Sequence, residues 1–278
     1  MMASKASPKQ RNAQTRRAPI PVRAISDQDL RQSLKQGWGD FMAMRGDLLF
    51  LGLLYPLIGV AAAVFTLNGP LLPFFFPLVA GVGLLGPVAA VGFYELARRR
   101  EAGLSSNWSH FLDVRKRPAA DDIGVVAGLL VVVFGVWLLA AGILYIALWG
   151  WTAPAAIPDF LATIFTTPKG WALILIGLGV GAVFAWLVLA LSVASLPMLV
   201  DCDVSAAQAV STSWRAANAN RGLMIRWGLT VAALLVIGSI PLFLGLAVVL
   251  PWLGYSTWHL YTRLVERDAI PARARRRD

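Results

Sequence analysis

The sequence predicts an all-α protein, a polytopic transmembrane bundle of six spans forming three helical hairpins, each preceded by a cytoplasmic amphipathic helix. Three observations predict it. Hydrophobic residues make up 58% of the 278 positions and charged residues only 14%, against about 25% charged in an ordinary soluble domain. The charges crowd into blocks between long uncharged runs, the pattern of spans separated by solvated connectors. With six spans, every Lys and Arg of the 25 except Lys169 falls on one side, which the positive-inside bias makes the cytoplasm.

The elements follow in chain order. Residues 1–25 read as a disordered basic tail, rich in Lys, Arg, Ala, Pro and Gln with little to bury. Residues 26–264 form the membrane domain. Ser26-Asp27-Gln28-Asp29 resembles a helix-start capping signal, and Leu30, Leu34, Trp38, Phe41 and Met42 then recur at helical spacing. A hydrocarbon core of about 30 Å needs about 20 helical residues. Residues 48–67 meet that length, Asn68-Gly69-Pro70 turns the chain, and residues 71–94 return it to Arg98-Arg99-Arg100.

A second amphipathic segment carries Leu104, Trp108, Phe111 and Leu112. Spans follow at 124–149 and 171–199, the latter long enough to tilt or to bend near Pro197, with a non-cytoplasmic loop between them. A third amphipathic segment places Val204, Ala207, Val210, Trp214 and Ala217 on one stripe, with Asp203 or Ser205 as its cap. The last apolar region is too long for one helix and divides at Gly238-Ser239-Ile240-Pro241 into spans 223–239 and 242–262. A basic tail, 265–278, then ends in the cytoplasm beside the N-terminus. A single helix there would export Arg273 to Arg277, against the charge bias.

Two units share a spaced pattern. Trp38 precedes Arg45-Gly46 by the interval that separates Trp214 from Arg221-Gly222. Pro87 leads to Tyr94, Leu96 and Arg99 as Pro251 leads to Trp258, Leu260 and Arg263.

The chemistry is sparse. No ionisable residue falls near the centre of a span, where such groups are costly unless functional. Asp47, Glu95, Asp201 and Arg226 lie at the cytoplasmic boundary. The only histidines are His110 and His259, and the one cysteine is Cys202. That supply predicts no cofactor, no metal site and no disulfide, and no Ser-His-Asp arrangement can be placed. Glu95, Asp201 and His259 are the one polar cluster available to a lipid-active enzyme at the membrane edge. The net charge of +10 is explained by the positive-inside rule and predicts no nucleic-acid partner. Trp38, Arg45, Arg99, Trp108, Trp214 and Arg221 are the candidate contacts to a partner or to lipids with anionic headgroups. Gly177 and Gly181 fit a small-residue packing face.

The stretch Ser195-Leu196-Pro197-Met198-Leu199-Val200-Asp201, then Ser205-Ala206-Ala207, Asn218 and Trp227, resembles an uncharacterised family of bacterial integral membrane proteins, a domain of unknown function. Leu250-Pro251-Trp252-Leu253-Gly254-Tyr255 through Tyr261 and Gly86-Pro87 with Tyr94-Glu95-Leu96-Ala97-Arg98-Arg99 share the resemblance, which spans about residues 38–263. Members are sometimes labelled cytochrome c oxidase subunits. That label implies a respiratory-chain association, yet a haem-copper catalytic subunit needs several intramembrane histidines and this chain has none deep in a span. The expectation is therefore a non-enzymatic accessory, assembly or scaffold protein of the bacterial inner membrane, a respiratory membrane complex being its implied partner. The alternative is a transporter or channel for a small, weakly polar solute, suggested by Pro56 and Pro251 within spans.

Overall fold

The computed structural model describes residues 19–52, 86–152 and 157–270, together with 57, 60 and 64. Most of the first two predicted spans, and both outermost tails, lie outside the described residues. What is described is helical, with one isolated antiparallel β-bridge between Val22 and Val265.

Helix α1 (Asp27–Gly52) opens on the predicted capping box. The Ser26 hydroxyl accepts from the Asp29 amide at 3.3 Å, and the Asp29 carboxylate accepts from the Ser26 amide at 2.8 Å, so two otherwise orphaned donors are satisfied reciprocally. The helix runs through Gly52 without a break at the membrane boundary. Leu30, Ser33, Gly37 and Phe41 are its buried stripe, while Trp38 and Met42 stand exposed beside it.

That stripe lies along the last helix, α10 (Leu246–Leu264). The two run antiparallel: Arg263 donates to Gln36, His259 meets Asp40, and the Tyr255 hydroxyl reaches the Met44 sulfur. Their close approach is set by Gly37. A Cβ there would lie 2.5 Å from the Ser256 backbone nitrogen, so only glycine fits.

A short turn of helix, α2 (Gly86–Ala89), leads into α3 (Val91–Glu101), whose residues Val91 to Arg98 are all buried. Such all-round burial marks a helix inside a core. Here α3 packs on α10 and on α7 (Ser195–Asp201). The spaced repeat has a structural counterpart: Tyr94 and Trp258 are fully buried, as are Leu96 and Leu260. Arg99 and Arg263 both reach partly exposed positions.

Among the described residues, three stretches are long and apolar enough to cross a membrane: α4 (Ala120–Trp149), α6 (Pro168–Ser192) continued by α7, and α9 (Arg221–Ser239). They coincide with the predicted spans 124–149, 171–199 and 223–239. Only 6% of the most apolar window in Pro168–Asp201 is buried inside the protein. On α4, Val125, Leu129, Val132, Val136, Leu139 and Ile143 form an exposed apolar stripe at helical spacing. In water such faces would be intolerable; in lipid they are at rest. The α6–α7 break falls at Val193-Ala194, because Pro197 has no N–H for the carbonyl four residues earlier. Gly177 and Gly181 face α4, against Leu144 and Trp137. The predicted sixth span, 242–262, coincides with α10. This helix is mostly buried in protein and too polar at its Trp258–Arg263 end to rank with the other three.

Four local expectations are corrected. The second amphipathic helix does not form: residues 108–116 make two 3₁₀ turns, Trp108–His110 and Asp113–Lys116. Its apolar residues are divided, Phe111 stacking edge-on against Phe93 while Trp108 and Leu112 stay exposed. The third does form, as α8 (Ala206–Ala219), capped by Ser205 as expected. Its packed face, however, is Ala206, Ala209, Ser213, Ala216 and Ala217, and Ala207 and Trp214 face outward. Small residues win that face because they let α8 approach α6 and α7 closely. The loop predicted between spans contains α5 (Ile157–Thr166), whose Phe160 and Ile164 bury with Tyr145 in a separate small core.

The tails, finally, are shorter than composition implies. Ile20 is buried, Val22 pairs with Val265, and the Ile25 amide donates to Asn220. Val265 and Ile270 are buried at the other end. Apolar residues at Ile20, Val22 and Ile25 are diluted in a basic average, yet they suffice to strap both tail roots to the core.

Candidate functional site

The charged end of α3 is the centre of the polar architecture. Four consecutive residues, Arg98-Arg99-Arg100-Glu101, leave its last turn, where cations also complement the helix dipole. Arg98 pairs with Glu95 of the same helix, while Arg99, Arg100 and Glu101 each reach a different element.

Glu95 is fully buried and is held by three guanidiniums. Arg98 makes a two-pronged contact at 3.2 and 3.1 Å, Arg117 donates at 2.6 Å, and Arg99 stands at 3.9 Å. Arg100 donates to one oxygen of Asp40 at 2.7 Å, and His259 lies 2.7 Å from the other. α3, α1 and α10 are thereby joined. Glu101 accepts from the Trp258 indole at 2.9 Å and from Arg267 at 2.6 Å. Arg267 in turn donates to Asp201 at 2.9 and 3.2 Å, and Asp201 also accepts from the Tyr261 hydroxyl at 2.8 Å.

The electrostatics of this last group are one-sided. Burial works against the Arg267 cation, but the Asp201 and Glu101 carboxylates outweigh it and hold its pKa above the ordinary arginine value. Burial and the Asp201 charge push the Cys202 thiol up, so Cys202 is a buried thiol and not a thiolate nucleophile. A pocket of about 330 Å³ opens beside these residues, lined also by Arg23, Thr262 and Val265.

The loop after α3 carries a fourth group. His110 Nδ1 lies 2.7 Å from the Asp113 carboxylate. Its Nε2 is 3.4 Å from the Ser105 hydroxyl and 3.5 Å from Arg99 Nη2. Arg99 Nε donates to the Ser105 carbonyl at 2.7 Å. Lys116 and His110 hydrogen bonds lower the Asp113 carboxyl to about 2, so it is ionised at neutral pH.

Glu95, Asp201 and His259 therefore do not form one site. Each is the centre of its own cluster, and the clusters are linked through neighbouring residues of α3 and of α10. Trp38, Trp108 and Trp214 are 40%, 55% and 42% exposed, with Trp38 also edge-on to Trp252. Arg221 bonds Asn218 within its own turn, and Arg99 belongs to the Glu95 and His110 groups. The Arg45 side chain lies outside the described residues. Sequence reasoning groups Glu95 with Arg98 and Arg99 but misses Asp40, Glu101, Ser105, Arg117 and Arg267. Only the Glu95–Arg98 pair has a local signal, its helical i, i+3 spacing. Among the described residues no group of three or more His, Cys, Asp or Glu is placed to hold a metal ion.

Residues 75–201 match the model of a family described as "Predicted integral membrane protein (DUF2189)". The matched stretch holds α3, the Ser105–Asp113 loop and the first two of the long apolar helices. No curated protein and no solved structure matches the chain. The uncharacterised membrane family read from the sequence is thus the one found, and it brings no oxidase label with it. By that similarity and its long apolar helices, the chain is an integral membrane protein, and its residues 75–201 resemble this family of unknown function.

Proposed function

We propose that this protein is a six-span component of the bacterial inner membrane, with both termini cytoplasmic, acting as an accessory, assembly or scaffold subunit of a larger membrane complex. One observation carries the reading. Glu95, Asp201 and His259, the polar residues that the sequence offers for chemistry at the membrane edge, are each occupied by partners from their own chain. Those ion pairs knit α1, α3, α10 and the tail roots into one layer, which suits a rigid platform. Trp38, Trp108 and Trp214 remain outside it, and exposed tryptophan is the residue type that most often anchors an interface. The same side chains suit the headgroup region of a bilayer.

The placement of spans rests on the charge asymmetry and on the three apolar stretches. Reporter fusions after Asn68, near Pro158 and near Ser239 should read as periplasmic, and fusions at either terminus as cytoplasmic. A periplasmic C-terminus would refute the sixth span.

The scaffold role is tested by affinity purification from mild-detergent membranes with mass spectrometry. The expected result is a multi-subunit complex, a respiratory one being the first to look for, that is lost when Trp38 and Trp214 become alanine in a still-inserted protein. Recovery of the chain alone, with normal respiration in a deletion strain, counts against the role. Solute-specific flux in liposomes would then favour a transporter.

A further inference from the structure

We infer that Ser105, His110 and Asp113 form a serine-hydrolase triad at the membrane edge, acting on carboxylic esters of amphiphilic molecules. The inference goes beyond the scaffold reading: the three residues lie outside the Asp40–His259 and Asp201–Arg267 clusters, and Arg99 alone is shared, with the Glu95 cluster.

The geometry has the order that nucleophilic catalysis needs: hydroxyl, imidazole, carboxylate. With Asp113 ionised, the neutral imidazole donates from Nδ1 at 2.7 Å, which fixes the tautomer and leaves the Nε2 lone pair facing Ser105 at 3.4 Å. That second distance is the loose one typical of a site without substrate. A cation stands beside both: Arg99 Nη2 is 3.5 Å from the Ser105 oxygen and 3.5 Å from Nε2. Arg99 is itself held by the Ser105 carbonyl and lies near Glu95, so it is fixed before any substrate arrives. Ser105 is exposed, as a nucleophile must be.

The substrate class follows from the surroundings. Trp108 and Leu112, within the same loop, are 55% and 52% exposed, and α4, the first long apolar helix after the loop, begins at Ala120. An apolar rim at the foot of a span presents the hydroxyl to a molecule with an acyl chain in lipid and an ester near the headgroups. In the reaction the Ser105 oxygen adds to the ester carbonyl carbon while its proton passes to His110 Nε2. The carbonyl oxygen takes the negative charge, beside the Arg99 guanidinium. The carbon–oxygen bond to the alcohol breaks and the departing alkoxide takes the proton from His110. Water then adds to the acyl carbon, giving a proton to His110, and Ser105 leaves with that proton as the carboxylic acid is released.

The test uses the full chain in mild detergent with a fluorophosphonate probe and with p-nitrophenyl butyrate, the labelled residue being mapped by mass spectrometry. The expected result is a single phosphonylated serine, Ser105, together with ester hydrolysis. Both vanish in Ser105→Ala and fall by about 100-fold or more in His110→Ala. Asp113 acts through His110 as a positioning residue. Asp113→Asn should therefore lower labelling and Asp113→Glu should restore part of it, with unfolding midpoints unchanged. Ser109→Ala should label like the wild type. Absence of label on Ser105 in the folded protein would overturn the inference, as would label on Ser106 or Ser109 instead. Label on Ser105 that survives in His110→Ala would overturn it as well. Ser105→Ala keeps the question decidable, since an exposed hydroxyl can be removed without disturbing the core.

Discussion

Gly37→Leu is expected to be the most damaging single change in the described part of the protein. The first side-chain carbon would already sit 2.5 Å from the Ser256 backbone nitrogen, and backbone cannot swing aside as a flexible side chain can. α1 and α10 must separate, and with them go the Trp252 indole bond to the Leu34 carbonyl and the Asp40–His259 contact. Overpacking typically costs about 1–3 kcal/mol and exceeds that where backbone rather than side chain must give way, as here, which for a chain of this size lowers an unfolding midpoint by about 5–10 °C. Gly39 is the control. Nothing lies within 4 Å of a Cβ there, so Gly39→Ala should be neutral or stabilise by up to about 1 kcal/mol through helix propensity. Thermal unfolding of the purified proteins in one detergent checks both. Equal midpoints for Gly37→Leu and wild type would mean that α1 does not pack on α10 at this register.

Glu95→Ala should follow closely in size. The carboxylate is fully buried and faces Arg98, Arg117 and Arg99. Its removal leaves buried guanidiniums facing one another without their common counter-ion. Breaking a buried pair in this way costs about 3–5 kcal/mol, mainly because of the uncompensated charge left behind. Glu95→Gln keeps an acceptor and loses the charge, so its midpoint should fall between those of Glu95→Ala and wild type. Arg98→Met in the Glu95→Ala background should recover part of the loss, which a mutation that merely opened a cavity would not allow. Lys116→Ala, which removes an exposed partner of Asp113, should change stability by less than about 1 kcal/mol. If Glu95→Ala were as mild as Lys116→Ala, the cluster would have to be open to water.

The lipid-facing part of the molecule was legible in the sequence because hydropathy is a local sum. A window over 124–149, 171–199 or 223–239 contains all the information needed to expect a long apolar helix, and helices are found there. The Ser26–Asp29 box and the Ser205 cap are equally local, each settled within three residues. The helical class follows from the same kind of evidence.

What only the tertiary structure decided is everything that depends on which distant residue arrives opposite. Asp40 meets His259 across 219 positions and Asp201 meets Arg267 across 66, and no periodicity carries such pairings. The buried face of α8 is another case. Trp214 is the largest apolar group on the helix, yet it stays outside while the alanine side, with Val210 at its margin, packs against α6 and α7. The loop at 104–117 shows the same limit at short range. Its spacing suits a helix, but Phe111 is drawn onto Phe93 and Gly92, and the backbone turns tightly to allow it. That turn brings Ser105 onto His110, five positions away and a pairing no helix would give, beside the His110–Asp113 contact. The sequence by itself determined where this protein meets lipid, since that depends on transfer free energy summed along the chain. Packing determined where its charges and its hydroxyl meet one another, since that depends on contacts made only once the helices have docked.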